Sequence, residues 1–378
     1  LQRFTRPANL KQTQKEVLRA GEALIEFFLG EDRSQAWFVS QEQSFCYALP
    51  ARREIEDAVR RYTGLLSARP NSFQLQRDLA AQKKMAAEVF RLLMGQFADK
   101  LGSAQRLIIA PDGLLYYLPF ETLARDGRYL VEQFDIAYTP SASVLAALEK
   151  SKPETKADDR MELVAFGDPD FGSSARNDLL SDSWGDYRPE PLPGTKAEVV
   201  SISEFFPSDR RRVYLGRAAT EDALKREHLT RCRRLHLATH GLIDERFPSR
   251  SGILLAFDSD PAEDGFLDAG EISGLEMECE LVVLSACRTG RGRLAAGEGV
   301  IGLARAFLYA GARSVVVSLW SVSDISAANF MRRFYRHLAA GESPAASLRQ
   351  AKLEMIRSDK PERHPFYWSP FLITGQSE

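Results

Sequence analysis

The sequence predicts an α/β fold in which a mainly parallel sheet is flanked by helices and preceded by an N-terminal accessory half. Three features lead there. From Thr195 onward, strand-like runs alternate with helix-like ones, the pattern of layered parallel sheets. Leu281-Val282-Val283-Leu284 is apolar throughout, as a strand covered on both faces must be. Two strand-like runs close on a polar, reactive side chain, and open parallel sheets expose their chemistry at the carboxyl ends of strands. Length agrees, since 378 residues allow two domains at roughly 100 to 200 residues each.

The first half opens with strand-like runs at 23–29, 36–40 and 44–49. Amphipathic helices follow over 52–66 and 73–97, then a strand at 106–110 that runs into the turn Pro111-Asp112-Gly113, and another at 136–139. This half has Cys46 and no histidine, so it reads as scaffold. The charged, flexible composition of 151–159 sets a boundary near residue 160, giving an N-terminal domain over 1–160 and a second domain over 161–378. A strand at 163–166 leads to a surface loop, 168–194, rich in Asp, Ser, Pro and Gly. Thr195-Lys196-Ala197-Glu198 has the form of a capping box opening a helix. Next come a strand at 212–215, a helix capped by Thr220, strands at 234–239 and 253–257, an acidic loop, and the apolar strand at 281–286. Helix 300–309, strand 314–319, helix 327–339 and a helix started by Ser343 with Pro344 at its first position complete the chain. No 34-residue helical repeat is present.

Composition excludes several classes. Hydrophobic residues make up 44% and charged residues 27%, the balance of an ordinary globular protein. Apolar stretches fall short of the ~18 residues of a membrane span, so no membrane partner is expected. Fifty basic against 52 acidic residues leave a net charge of -2, which gives no electrostatic reason to expect nucleic acid. Four cysteines without disulfide or zinc spacing, and no signal peptide, point to a reducing, cytoplasmic setting. Neither a metal nor a cofactor is called for. A chain opening on Leu1 reads as a processed product or a piece of a longer one.

The chemistry gathers on two residues. Leu235-His236-Leu237-Ala238-Thr239-His240-Gly241 brings His240 to a strand end, and the 281–286 strand delivers Cys287, followed by Arg288-Thr289-Gly290. If the two strands are parallel neighbours, both side chains emerge at one rim. A thiol of ordinary pKa about 8.5 needs a base beside it, and imidazole serves. The separation, 287 − 240 = 47 residues, matches the His-before-Cys order and spacing of roughly 50 in caspase-type enzymes. Backbone N–H groups of Gly241 and Cys287 would hold the oxyanion. A backbone carbonyl could orient the imidazole, so no third acid is required.

Ala238-Thr239-His240-Gly241, Leu284-Ser285-Ala286-Cys287-Arg288-Thr289-Gly290, Gly297-Glu298-Gly299 and Leu319-Trp320-Ser321-Val322-Ser323-Asp324 occur in one order. So do Pro111-Asp112-Gly113, Leu118-Pro119-Phe120-Glu121 and His364-Pro365-Phe366-Tyr367-Trp368. Together they resemble CHAT-domain cysteine peptidases, a caspase- and separase-like family often joined to TPR repeats. The resemblance runs from about residue 106 to the end. It implies a caspase-like fold whose N-terminal half is an accessory or degenerate caspase-like domain. It also implies a cysteine endopeptidase making limited cuts in protein substrates through a Cys-His dyad and a thioester. Activation would come from a regulatory partner or an upstream TPR-type region. Substrate would lie along 318–324, with Trp320, Ser321 and Val322 beside it and Asp324 at the pocket floor, favouring P1 Arg or Lys. The alternative is a catalytically silent caspase-like interaction module.

The remaining candidates read as structural. His236 is a satisfied core group; His228, His337 and His364 are surface or local hydrogen-bonding groups; Cys46, Cys232 and Cys279 are packing residues. The acidic loop (Asp258, Asp260, Glu263, Asp264, Asp268, Glu271) lacks the calcium-loop pattern and reads as solvated. Gly297-Glu298-Gly299-Val300-Ile301-Gly302 spells a dinucleotide fingerprint. However, ten residues (287–296) separate it from its strand, and Glu298 would repel a pyrophosphate, so it reads as a loop beside Cys287.

Overall fold

A computed structural model describes residues 7–150, 160–172, 187–244, 247–257, 263–285, 287–291 and 299–376, with Ser72, 287–291 and 299–300 described by backbone alone. The chain forms two compact units: Leu1–Lys152 together with Glu342–Glu378, and Pro153–Gly341.

The first unit starts with an antiparallel meander, β1 (Glu22–Phe28), β2 (Ser34–Ser40) and β3 (Ser44–Leu49). Alternation drives it, because Ala23, Ile25 and Phe27 of β1 all bury on one face. Helices α1 (Arg52–Ser67) and α2 (Leu75–Met94) pack on one another through apolar stripes at three- and four-residue spacing, Ile55, Val59, Tyr62 and Leu66 facing inward from α1. Parallel strands β4 (Arg106–Ala110) and β5 (Asp135–Tyr138) extend the sheet from β1, and α3 (Ala142–Lys150) follows.

The second unit is built on five parallel strands. In chain order its elements are β6 (Leu163–Pro169), α4 (Pro193–Ser203), β7 (Arg211–Gly216), α5 (Glu221–Arg226), β8 (Arg234–Ala238), β9 (His240–Asp244), β10 (Gly252–Leu254), β11 (Phe266–Asp268) and α6 (Ala269–Gly274). They continue as β12 (Leu281–Leu284), β13 (Cys287–Arg291), α7 (Gly299–Ala310), β14 (Ser314–Ser318) and α8 (Asp324–Ala339). The parallel sheet runs β14-β12-β8-β6-β7. Its central strands are buried along their length, which is why β12 is apolar on both faces. Helices α4 and α8 pack together over it. Gly167 of β6 lets α4 approach closely, since a Cβ there would stand 2.7 Å from Val199 Cγ2 and 3.1 Å from the Thr195 carbonyl. A second, four-stranded sheet has the order β11-β10-β9-β13.

The chain then returns to the first unit. Helix α9 (Pro344–Ile356), capped by Ser343 as expected, is followed by β15 (Phe371–Gly375), which pairs in parallel with β5. Buried Lys352 of α9 lies 2.6 Å from Glu121 Oε1, and Tyr138 of β5 donates its hydroxyl to Glu121 Oε2 at 2.5 Å. The division therefore differs from the one read in the sequence. Residues 342–376 group with the first unit, where β15 pairs with β5 and Lys352 meets Glu121, instead of continuing the 161–378 domain.

Two further expectations change. Thr195 to Glu198 is not a capping box: α4 begins at Pro193, the Thr195 hydroxyl accepts from the Asp168 N–H and donates to the Leu192 carbonyl, and Glu198 turns inward to His236. The strand expected at 253–257 is the short antiparallel β10 of the smaller sheet.

Candidate active site

His240 does not end its strand. The β8 ladder stops at Ala238, Thr239 donates its hydroxyl to the Leu254 carbonyl of β10, and the chain re-enters pairing with His240 as the first residue of β9. The same happens on the neighbouring strand, where β12 stops at Leu284 and Cys287 opens β13. Strands β9 and β13 are parallel partners, with His240 opposite Cys287. One register offset serves both sheets: Arg234 faces Leu281, a difference of 281 − 234 = 47, and 287 − 240 is also 47. Neighbouring strands lie about 4.8 Å apart, so the backbone of the nucleophile candidate and that of its base candidate are adjacent.

The His240 ring is buried, with 5% of its surface exposed. Its Nε2 lies 2.7 Å from the Glu190 carbonyl. A carbonyl only accepts, so Nε2 carries the hydrogen, and a neutral ring then keeps its lone pair on Nδ1. That Nδ1 is buried and has no hydrogen-bond partner among the described residues. Burial holds the His240 pKa below its ordinary value, opposed by the Glu190 carbonyl and by the charges of Glu190 and Asp324. Phe171 packs against the ring at 5.3 Å between centroids and Tyr187 meets it edge-on at 6.2 Å. Phe171 also joins Leu242 and Leu254 in an apolar cluster. The surroundings suit a neutral imidazole with one accepting nitrogen, the form that takes a proton from a thiol.

The other candidates fall out unevenly. Asp324 is the first residue of α8, after the Ser323 N-cap, and half-buried. Its Cβ lies against Gly194 at the start of α4, where a Cβ on the glycine would come within 2.2 Å. The segment bearing Glu190 thus runs directly to Asp324. Trp320 is half-buried, Ser321 exposed and Val322 buried, so Val322 is a core residue rather than an open wall. Gly241 stands in β9 between Ile253 of β10 and Arg288 of β13. Glu190, Phe171 and Tyr187 were missed in the sequence because 168–194 reads as a loose loop; the aromatic residues within it were the available signal.

His236 is a satisfied core group: Nε2 lies 2.9 Å from Glu198 Oε1 and Nδ1 3.0 Å from the Tyr335 hydroxyl. His364 is buried and is one of the expected local hydrogen-bonding groups, its Nδ1 accepting from the Phe366 N–H. Cys232 and Cys279 are buried, whereas Cys46 is exposed because it sits on the outward phase of β3. In the acidic region Glu221, Glu263 and Glu271 surround Lys225 Nζ at 2.7, 2.6 and 2.9 Å, so the protein's own ammonium occupies that cluster. Asp258, Asp260, Gly297 and Glu298 lie outside the described residues.

A sequence model of the CHAT domain matches residues 83–376, most of the chain. The chain belongs to the CHAT-domain family. This CHAT protein is 28% identical over 314 residues to tetratricopeptide repeat protein 28 of Homo sapiens and 27% identical over 313 residues to that of Mus musculus. In each case 73% of this chain is covered, but the chain spans only 12% of the relative's length. Among solved structures, separase of Saccharomyces cerevisiae in its complex with securin superposes with a TM-score of 0.59 at 10% identity, over 97% of this chain and 30% of that one. The likeness is one of fold, the mainly parallel, helix-flanked, caspase-like α/β architecture expected from the sequence. No helix among the described residues is long and apolar enough to cross a membrane.

Proposed function

We propose that this CHAT protein is a cysteine endopeptidase in which Cys287 is the nucleophile and His240 its acid and base. The observation that carries this is the pairing of His240 with Cys287 in adjacent parallel strands, with the ring's Nε2–H engaged by the Glu190 carbonyl and Nδ1 left to accept. The Cys287 thiol gives its proton to His240 Nδ1, and the thiolate attacks the scissile carbonyl. The developing oxyanion is held by the N–H groups of Cys287 and Gly241. His240 then returns the proton to the leaving amine as the C–N bond breaks, leaving a thioester on Cys287. A water deprotonated by His240 attacks that thioester, the new acid departs, and the thiol is restored. Asp324, whose charge acts on this histidine and whose Cβ meets Gly194, favours P1 Arg or Lys, with Trp320 and Ser321 along the substrate.

Protein substrates follow from the peptide chemistry. Control by a partner or a TPR-type region is suggested by relatives that are tetratricopeptide repeat proteins many times the length of this chain.

The test is a substrate-like acyloxymethyl ketone probe, read by mass spectrometry alongside mapping of new N-termini in a lysate. Labelling of Cys287 that vanishes in His240→Ala, with cuts absent from Cys287→Ala, is expected. A probe that labels Cys287 equally well without His240, or identical N-termini from wild type and Cys287→Ala in the presence of the activating partner, would leave the silent-module reading in its place.

A further inference from the structure

The face of the first unit's meander that carries Leu24, Glu26 and Phe28 is only partly covered. Leu24 belongs to an apolar cluster with Val17, Val39, Leu145 and Ala146, but toward the end of β1 the cover thins and Phe28 is 54% exposed. What remains is a cavity of about 420 Å³ lined by Leu10, Leu24, Phe28, Trp37, Val39 and Ala142, with Glu26 as its one ionisable residue. Glu26 and Trp37 are directly paired across β1 and β2, so carboxylate and indole stand side by side on one face.

Burial pushes the Glu26 pKa above the ordinary range, opposed by the backbone of Ala142 at the start of α3. Among the described residues no lysine, arginine or histidine offsets its charge. A half-buried carboxylate next to an aromatic face, in a cavity whose other described lining is apolar apart from Thr13, is complemented by a positive charge on an apolar body, and the described lining supplies none. Cavities of this size and lining are typical of small-ligand sites.

We propose that this cavity binds a small amphiphilic monoammonium compound, its cation between the Glu26 carboxylate and the Trp37 indole and its apolar body against Leu10, Leu24 and Phe28. The site lies within the first unit and does not depend on the peptidase reading.

Phenethylammonium and its neutral counterpart phenylethanol, titrated into the full chain by calorimetry with tryptophan fluorescence as a second readout, test this. The ammonium should bind at least tenfold more tightly, Glu26→Gln should erase that preference, and Trp37→Leu should weaken the ammonium more than the alcohol. Because the wild-type comparison of the two ligands needs no variant, it decides even if Glu26→Gln fails to fold. Equal affinity for the two compounds, no binding of either at millimolar concentration, or a preference that survives in Glu26→Gln would overturn the proposal, the last leaving Glu26 as a cap for α3 alone.

Discussion

A thiol is mostly protonated at neutral pH, so under the proposed dyad the reactivity of Cys287 should follow the state of His240. The His240 pKa is held below 6.5, chiefly by burial, so the ring is neutral at pH 7 and becomes charged, losing its accepting nitrogen, only as the pH falls through that lowered value. Alkylation of Cys287 by neutral iodoacetamide should therefore show an acid limb centred below pH 6.5. Asp324 raises the His240 pKa; Asp324→Asn should move the limb to lower pH, and a limb that stays or rises would show that the aspartate does not act on the ring. The same variant tests specificity. It should cut kcat/KM for P1 Arg peptides at least about tenfold, as loss of a charge-assisted contact does, and leave apolar P1 peptides little changed. Acidic or apolar P1 residues throughout the mapped cuts would remove Asp324 from the pocket. At this scale the sequence was informative about position: that His240 and Cys287 stand opposite one another was legible from their spacing, because the 47-residue separation is the strand register itself. It was uninformative about Glu190, because a backbone carbonyl is the same on every residue and only the folded path selects one.

The two helices over the parallel sheet link the histidine to its surroundings. Helix α4 begins just after Glu190, α8 begins at Asp324, and Gly194 is where their first turns meet. A methyl group at 194 would meet Asp324 Cβ well inside van der Waals contact, so Gly194→Ala should cost about 1–3 kcal/mol as an overpacked contact and slow Cys287 labelling by shifting the Glu190 carbonyl. Urea denaturation and labelling rate check the two effects; a variant as stable and reactive as wild type would show the helix ends to be mechanically independent of the site. At the scale of elements the sequence was a sound guide to the interiors of strands and helices, where periodicity is strong. It failed at Thr195 to Glu198. The local pattern of a capping box was real, but a buried imidazole at His236 needed an acceptor and took Glu198, and such a long-range demand outweighs a cap worth about 1 kcal/mol.

For the chain as a whole, the segment 342–378 closes the first unit. Its Lys352 is fully buried against Glu121, and Lys352→Met would strand that carboxylate without its cation, costing about 3–5 kcal/mol. Hydrogen exchange should show the loss in β5, β15 and α9 rather than in β8 and β12; protection lost equally everywhere would argue against separate units. Acid acts on the same segment. Burial lowers the His364 pKa to about 4 from 6.5, so the folded form holds the ring neutral while the unfolded chain takes up a proton. The resulting stabilisation, up to about 3 kcal/mol, is complete above pH 6.5 and fades as the pH falls toward 4. His364→Asn, which keeps a cap acceptor for Phe366, should flatten stability over that interval in urea titrations.

Residue types and their order were enough to set the α/β class, the caspase-like architecture, the CHAT family and the adjacency of His240 and Cys287 in neighbouring strands, because hydrophobic period and strand register are written along the chain. The fold alone decided that 342–378 returns to the first unit, that the pair begins strands of a second sheet, and that Glu190 orients the ring. Those outcomes depend on which distant groups satisfy one another's burial and hydrogen bonds, and no local pattern encodes that.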